Sequence, residues 1–152
     1  MSGRIILFGA TGYTGRLTAE ASVARGDRPV LAARTRDKVE AMAAELGGLE
    51  TAVADVTDPA SVRAAAEAAP DVDLVINNAG ISPYTRLLDG DLEKIRLELE
   101  THVFGTLAVV RAFAPALAGS GGGAILNVHS ALSWVAFDGA GAYGTAKAAE
   151  WG

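Results

Sequence analysis

Five short apolar runs, separated by longer stretches with helical spacing, leave this chain few folds to choose from. They are RIILF (residues 4–8), PVLAA (29–33), LETAVA (49–54), DLVIN (73–77) and AILNV (124–128). Near-continuous apolar runs of this length suit strands buried on both faces, as in a parallel sheet. Between them, residues 13–25, 36–46, 58–69 and 90–117 read as helices, and a last helix begins near Ala140. In the second helix Val39, Met42, Ala43 and Leu46 share one face, and Gly47 and Gly48 stop it. Asp58 can cap the third helix, with Pro59 at its first position. The fourth is one long pattern with a bend expected near Gly105.

Strand and helix therefore alternate five times, which predicts an α/β domain: a doubly wound parallel sheet with helices on both faces. Right-handed crossovers with a switch point after the first strand give the order 3-2-1-4-5. Residues 1–152 form one such domain, with the ligand site expected at the C-terminal ends of the strands. Residues 81–89 are the longest irregular stretch before the one following Val128.

Composition narrows the function. The formal charge of −5 argues against non-specific nucleic-acid binding, which needs a basic face. There is no cysteine, hence no disulfide framework or thiolate metal site, and no metal is expected. No run approaches the roughly 18 apolar residues of a membrane span. The apolar run near the start ends at Gly9, too short for a signal-peptide core, so a cytoplasmic protein is expected.

Directly after the first strand comes GATGYTG, with glycines at positions 9, 12 and 15. Glycine permits a sharp turn, close approach of a pyrophosphate, and tight packing of the helix on the strand. The helix N-terminus then presents free N–H groups and a positive dipole end to an anion. Gly9, Thr11, Gly12, Tyr13, Thr14 and Gly15 are thus a candidate phosphate loop; the plainer alternative is a turn built only for packing. The second strand ends in LAARTRDK. An acidic residue at its end would accept from a free ribose 2′-hydroxyl, whereas a basic one favours a 2′-phosphate. Arg34 stands there, with Arg36 nearby, so NADP is favoured over NAD. Arg36 is the better candidate for a plain surface charge.

Four further stretches occur in a telling order: VADVTD (53–58), NNAG (77–80), NVHS (127–130) and YGTAK (143–147). From about Glu50 onward the chain resembles the short-chain dehydrogenase/reductase family, whose fold is an NAD(P)-binding Rossmann domain. The GxxGxxG spacing of the N-terminal part is similar instead to extended and atypical members, and to saccharopine-dehydrogenase-like enoyl reductases; the standard branch has TGxxxGxG. The resemblance implies that Asp55 and Val56 line the adenine pocket, and that Asn78, Ala79 and Gly80 shape the strand end beside the cofactor ribose. It further implies that Ser130 bonds the substrate oxygen, that Tyr143 exchanges the proton, and that Lys147 holds the nicotinamide ribose and brings the tyrosine towards working pH.

That chemistry is sound on its own terms. Reduction of a carbonyl leaves an alkoxide that needs a proton, and a phenol with a reference pKa of about 10 is a poor base near neutrality. A neighbouring ammonium stabilises phenolate, and a serine hydroxyl can polarise the same oxygen. Ser133 is a second candidate hydroxyl, ten residues before the tyrosine where Ser130 is thirteen. His129 reads as a strand-end residue, and Trp134 and Phe137 as either pocket lining or core cover. Where the family commonly has asparagine in a context like NVFGT, this chain has THVFGT. His102 can donate, accept and titrate near neutral pH, so it either takes over a proton relay or interrupts it.

Family members continue beyond this length, with further strands and a substrate-covering loop, so the fold is expected to be truncated relative to them. The fifth strand should then be an exposed apolar edge. Two functions follow. One is an NADP-dependent oxidoreductase for a carbonyl/alcohol pair. The other is a nucleotide-binding module without turnover, a truncated pseudoenzyme or redox sensor. The resemblance also implies that the long helix and the last helix make dimer contacts in many relatives, so a homo-oligomer is compatible with it.

Overall fold

The computed structural model describes residues 3–152. Five strands, β1 (Ile5–Phe8), β2 (Val30–Ala33), β3 (Thr51–Val53), β4 (Leu74–Asn77) and β5 (Ala124–Asn127), form one sheet in the order β3-β2-β1-β4-β5. Every pairing is parallel; Ile6 stands opposite Val30 on one side and Val75 on the other. The helices are α1 (Tyr13–Ala24), α2 (Arg36–Glu45), α3 (Pro59–Ala68), α4 (Leu92–Leu99), α5 (Gly105–Gly119) and α6 (Gly141–Trp151). The expected doubly wound architecture and strand order are those observed.

Alternate residues of the central strands feed two cores. Ile6, Phe8, Val30, Ala32 and Val75 pack with Val62 of α3 and Val109, Phe113 and Leu117 of α5. Phe8 and Phe113 meet edge to face at 5.8 Å, a favourable aromatic geometry. Leu7, Leu31, Ala33 and Ile76 point the other way, onto Ala19 of α1 and Val39, Met42 and Ala43 of α2. Apolar side chains thus leave both faces of the same strand, which is why the runs do not alternate.

The differences from the sequence reading are local. Leu49 and Ala54 lie outside β3, although both are buried. Gly90 precedes the long helix, because Asp91 caps α4 by accepting from Glu93 N at 2.9 Å. The expected bend at Gly105 is a π turn over Glu100–Phe104, joining α4 to α5 without a break. Within the continuous helical stretch Leu92–Gly119 an 18-residue window reaches a mean hydropathy of 1.3, enough by length and composition alone to cross a membrane. Charged residues such as Glu98 and Arg111 interrupt the stretch. Its apolar character belongs in part to core packing, since Val109, Phe113 and Leu117 lie against the sheet. Along the β5 edge, Leu126 is half exposed.

Candidate active site

The glycine loop is built from backbone contacts. Gly9 has φ +70°, and a Cβ there would come within 2.6 Å of the Ala79 Cα. At Gly15 a Cβ would overlap the Gly9 carbonyl oxygen and sit 2.9 Å from the Ala10 Cα. The first turn of α1 therefore lies directly on the end of β1, and β4 abuts the loop through Ala79. Asn78 Nδ2 donates to the Gly9 carbonyl at 3.2 Å, tying the two strand ends together. Gly12 occupies the cap position of α1 and no side chain caps that end, so N–H groups of its first turn are left for an outside acceptor.

Above this loop, at the C-terminal ends of the strands, opens a cavity of about 340 Å³. Gly9, Thr11, Gly12, Tyr13, Thr14, Arg34, Asp55, Val56, Asn78, Ala79 and Gly80 line it. Gly15 lies beneath, buried against β1. Asp55 is held in a turn: its Oδ1 accepts from the Thr57 backbone N–H at 3.0 Å and from the Thr57 hydroxyl at 2.8 Å. Arg36 is absent from the lining and pairs with Glu40 at 3.1 Å.

Thr35, Lys38, Ile81 and Thr101 also line the cavity, and the sequence reading missed them. Lys38 sits in the first turn of α2, whose start follows β2 by two residues, so it reaches the same end of the sheet as Arg34. Its position in the first turn of a helix after a strand was the available signal. Thr101 reaches the cavity from the π turn, for which the sequence held no register.

The remaining candidates gather around α6. His102 is 1% exposed. Its Nε2 lies 2.8 Å from the Ile81 carbonyl oxygen and 3.3 Å from the Ile81 backbone N–H, so the tautomer sets whether it donates to the one or accepts from the other. Nδ1 is buried without a partner among the described residues. Burial lowers the His102 pKa, outweighing the hydrogen bond to Ile81 that raises it. A Cβ on Gly80 would come within 2.7 Å of the His102 ring, so histidine and glycine are fitted to each other. The ring also meets Tyr143 edge to face, centroids 5.2 Å apart. His102 thus bridges a residue of the cavity wall, Ile81, to Tyr143.

Lys147 is 5% exposed. Its Nζ donates to the Val128 carbonyl at 2.9 Å and to Glu150 Oε2 at 2.5 Å. Glu150 Oε1 accepts from the Thr106 hydroxyl of α5 at 3.1 Å. Ser130 caps the 3-10 turn Ala131–Ser133, its Oγ accepting from Leu132 N at 3.2 Å. α6 packs against this turn. None of Ser130, Tyr143 and Lys147 is among the residues lining the cavity, and none of the three hydrogen-bonds another among the described residues. The Ser133 hydroxyl is buried and has no hydrogen-bond partner among the described residues, whereas Trp134 and Phe137 are exposed. His129 packs on Trp151, which in turn meets Trp134 at 4.8 Å.

Residues 4–152 match the family model described as short chain dehydrogenase. An uncharacterized oxidoreductase of Mycobacterium tuberculosis is 40% identical over 146 residues, covering 95% of this chain and 58% of that protein. A D-threitol dehydrogenase of Mycolicibacterium smegmatis is 32% identical over 171 residues, covering 100% of this chain and 66% of its own. Among solved structures, a short chain dehydrogenase from Burkholderia cenocepacia in complex with NADP superposes with a TM-score of 0.90 at 34% identity. That match covers 99% of this chain and 62% of the other. The chain thus spans less than two thirds of the length of these relatives.

Proposed function

Since the chain belongs to the short-chain dehydrogenase family, we propose that it is an NADP(H)-dependent oxidoreductase for an alcohol/carbonyl pair. The observation that carries this reading is the cavity at the strand ends, which combines an uncapped helix N-terminus with two cations. The glycine loop has room for a pyrophosphate because Cβ atoms are missing where the backbones nearly touch. Arg34 and Lys38 at the rim suit a ribose 2′-phosphate, and Asp55 and Val56 flank the adenine end. The solved relative that holds NADP supports the same choice.

NADP(H), when bound, supplies or accepts the hydride. Ser130 polarises the substrate oxygen, Tyr143 gives or takes its proton, and Lys147 keeps positive charge beside the phenol oxygen. His102 stays neutral because it is buried, and it holds Ile81 at the cavity wall while packing on Tyr143. It acts as a support for the tyrosine. The deciding measurement is a fluorescence titration: NADPH binds, and more tightly than NADH. Absence of binding by either nucleotide overturns the reading.

One observation favours a second reading, a nucleotide-binding module without turnover. The Lys147 ammonium is already paired with a carboxylate inside the protein, which weakens its pull on a phenolate. Screening alcohols and ketones with NADP(H) separates the two, because the module binds nucleotide and turns over nothing.

A further inference from the structure

The motif that implicates Lys147 says nothing of Glu150, yet this carboxylate is the lysine's nearest charge. The pair is intrahelical, three residues apart, with side chains only 6% and 3% exposed. Exposed pairs at this spacing contribute a few tenths of a kcal/mol. A buried pair behaves differently, since removing one partner leaves an uncompensated charge. Glu150 is also fixed from outside its helix by the Thr106 hydroxyl of α5, so it is no free surface acid.

Donor arithmetic sets what this does to the lysine. An ammonium has three N–H donors. One goes to the Val128 carbonyl at the end of β5 and one to Glu150 Oε2. A single donor remains, and its direction is fixed because the other two are fixed. The facing titratable group is His102 of the π turn, which senses both charges of the pair. Glu98 of α4, the helix that also packs on α6, is fully buried and has no hydrogen-bond partner among the described residues.

We propose that Glu150 is a positioning residue for Lys147: with Thr106 and Val128 it leaves one ammonium donor aimed at the nicotinamide site and offsets part of the lysine's positive charge there. The inference rests on the assignment of Lys147 to that site. Glu150 therefore has two separable effects. As an acceptor it fixes the position of Nζ, and as an anion it weakens the stabilisation of a phenolate at Tyr143. Glutamine keeps an acceptor without the charge, whereas alanine removes both.

The test joins a spectroscopic readout to kinetics on the whole chain. A buried, doubly bonded ammonium exchanges slowly with water, so a ¹⁵N–¹H signal from Nζ, assigned by its loss in Lys147→Arg, is expected in the wild type. It should broaden away in Glu150→Ala and persist in Glu150→Gln. In NADP-linked alcohol oxidation, the acid limb of the pH–rate profile should move to lower pH in Glu150→Gln by about half a unit or more. Its kcat should stay within about threefold of wild type, whereas Glu150→Ala should lose about tenfold. An Nζ signal unchanged in Glu150→Ala, or a pH limb unmoved in Glu150→Gln, overturns the proposal. If the wild type binds NADPH but turns over no alcohol, the enzymatic reading fails, and the Nζ signal alone decides whether Glu150 holds Lys147.

Discussion

The two halves of the site are made by different means. The nucleotide half, from Gly9 to Gly80, is set by backbone against backbone: α1 on β1, and the glycine loop on the end of β4. Beneath it lie central strands that are buried on both faces. The half around α6, proposed to transfer the proton, is held by side chains. His102 reaches Ile81 and Tyr143, and Lys147 reaches Val128 and Glu150. These lie beside β5, an edge strand with Leu126 half exposed. Backbone contact in a core tolerates almost no substitution, whereas a side-chain network at an edge can be retuned one residue at a time.

The contrast can be broken most severely at the loop. Gly15→Val should destabilise the fold by about 3 kcal/mol or more, because its Cβ meets backbone atoms that cannot yield. Thermal unfolding measures it, and a change under 1 kcal/mol would remove the claim that this half is rigid. Tyr143→Phe should leave stability and NADPH affinity nearly unchanged while lowering turnover by about 10²–10⁴-fold. Equal turnover of the two proteins would unseat the tyrosine. Arg34→Ala combined with Lys38→Ala should cut the preference for NADPH over NADH by about tenfold or more, read as a ratio of dissociation constants.

The smallest effects are pH dependences of stability. The His102 pKa is lowered in the folded protein because burial disfavours the charged ring. The unfolded chain therefore binds the extra proton first, and stability falls as pH drops below about 6.5. His102→Asn should flatten that slope. Glu98 has the opposite sign. Burial raises its pKa, so its neutral form suits the fold at low pH and stability declines as pH rises through the folded value. Glu98→Gln should raise the melting temperature by a few degrees at pH 8 and change it little at pH 4. A uniform shift at both pH values would mean that the charge of Glu98 is not what matters.

The fold was legible because its signals are local. Strand runs such as residues 5–8 and 74–76 are short and uniformly apolar, and glycines stand where backbones touch. The glycine spacing after the first strand and the basic end of the second pointed to Gly9, Thr11–Thr14 and Arg34, whereas Asp55, Val56 and Asn78–Gly80 came from the family resemblance. Contacts across elements were not legible. Lys38 reaches the cavity only through the docking of α2 on the sheet. That Glu150 is buried beside Thr106 depends on how α5 meets α6, although its spacing to Lys147 was open to view. The π turn left no trace beyond Gly105, since a widened turn uses the same residue types as an α turn.

That turn has a consequence for the lineage of the chain. A π turn holds one residue more than α geometry requires, so Glu100–Phe104 amounts to a single inserted residue absorbed in place. Deleting one residue there should leave α4 and α5 in phase. A deletion between Gly105 and Val109 would instead swing Val109, Phe113 and Leu117 about 100° around the axis, away from the sheet. Length variation in this helix should therefore concentrate within five residues, the same five that carry Thr101 to the cavity and His102 to Tyr143.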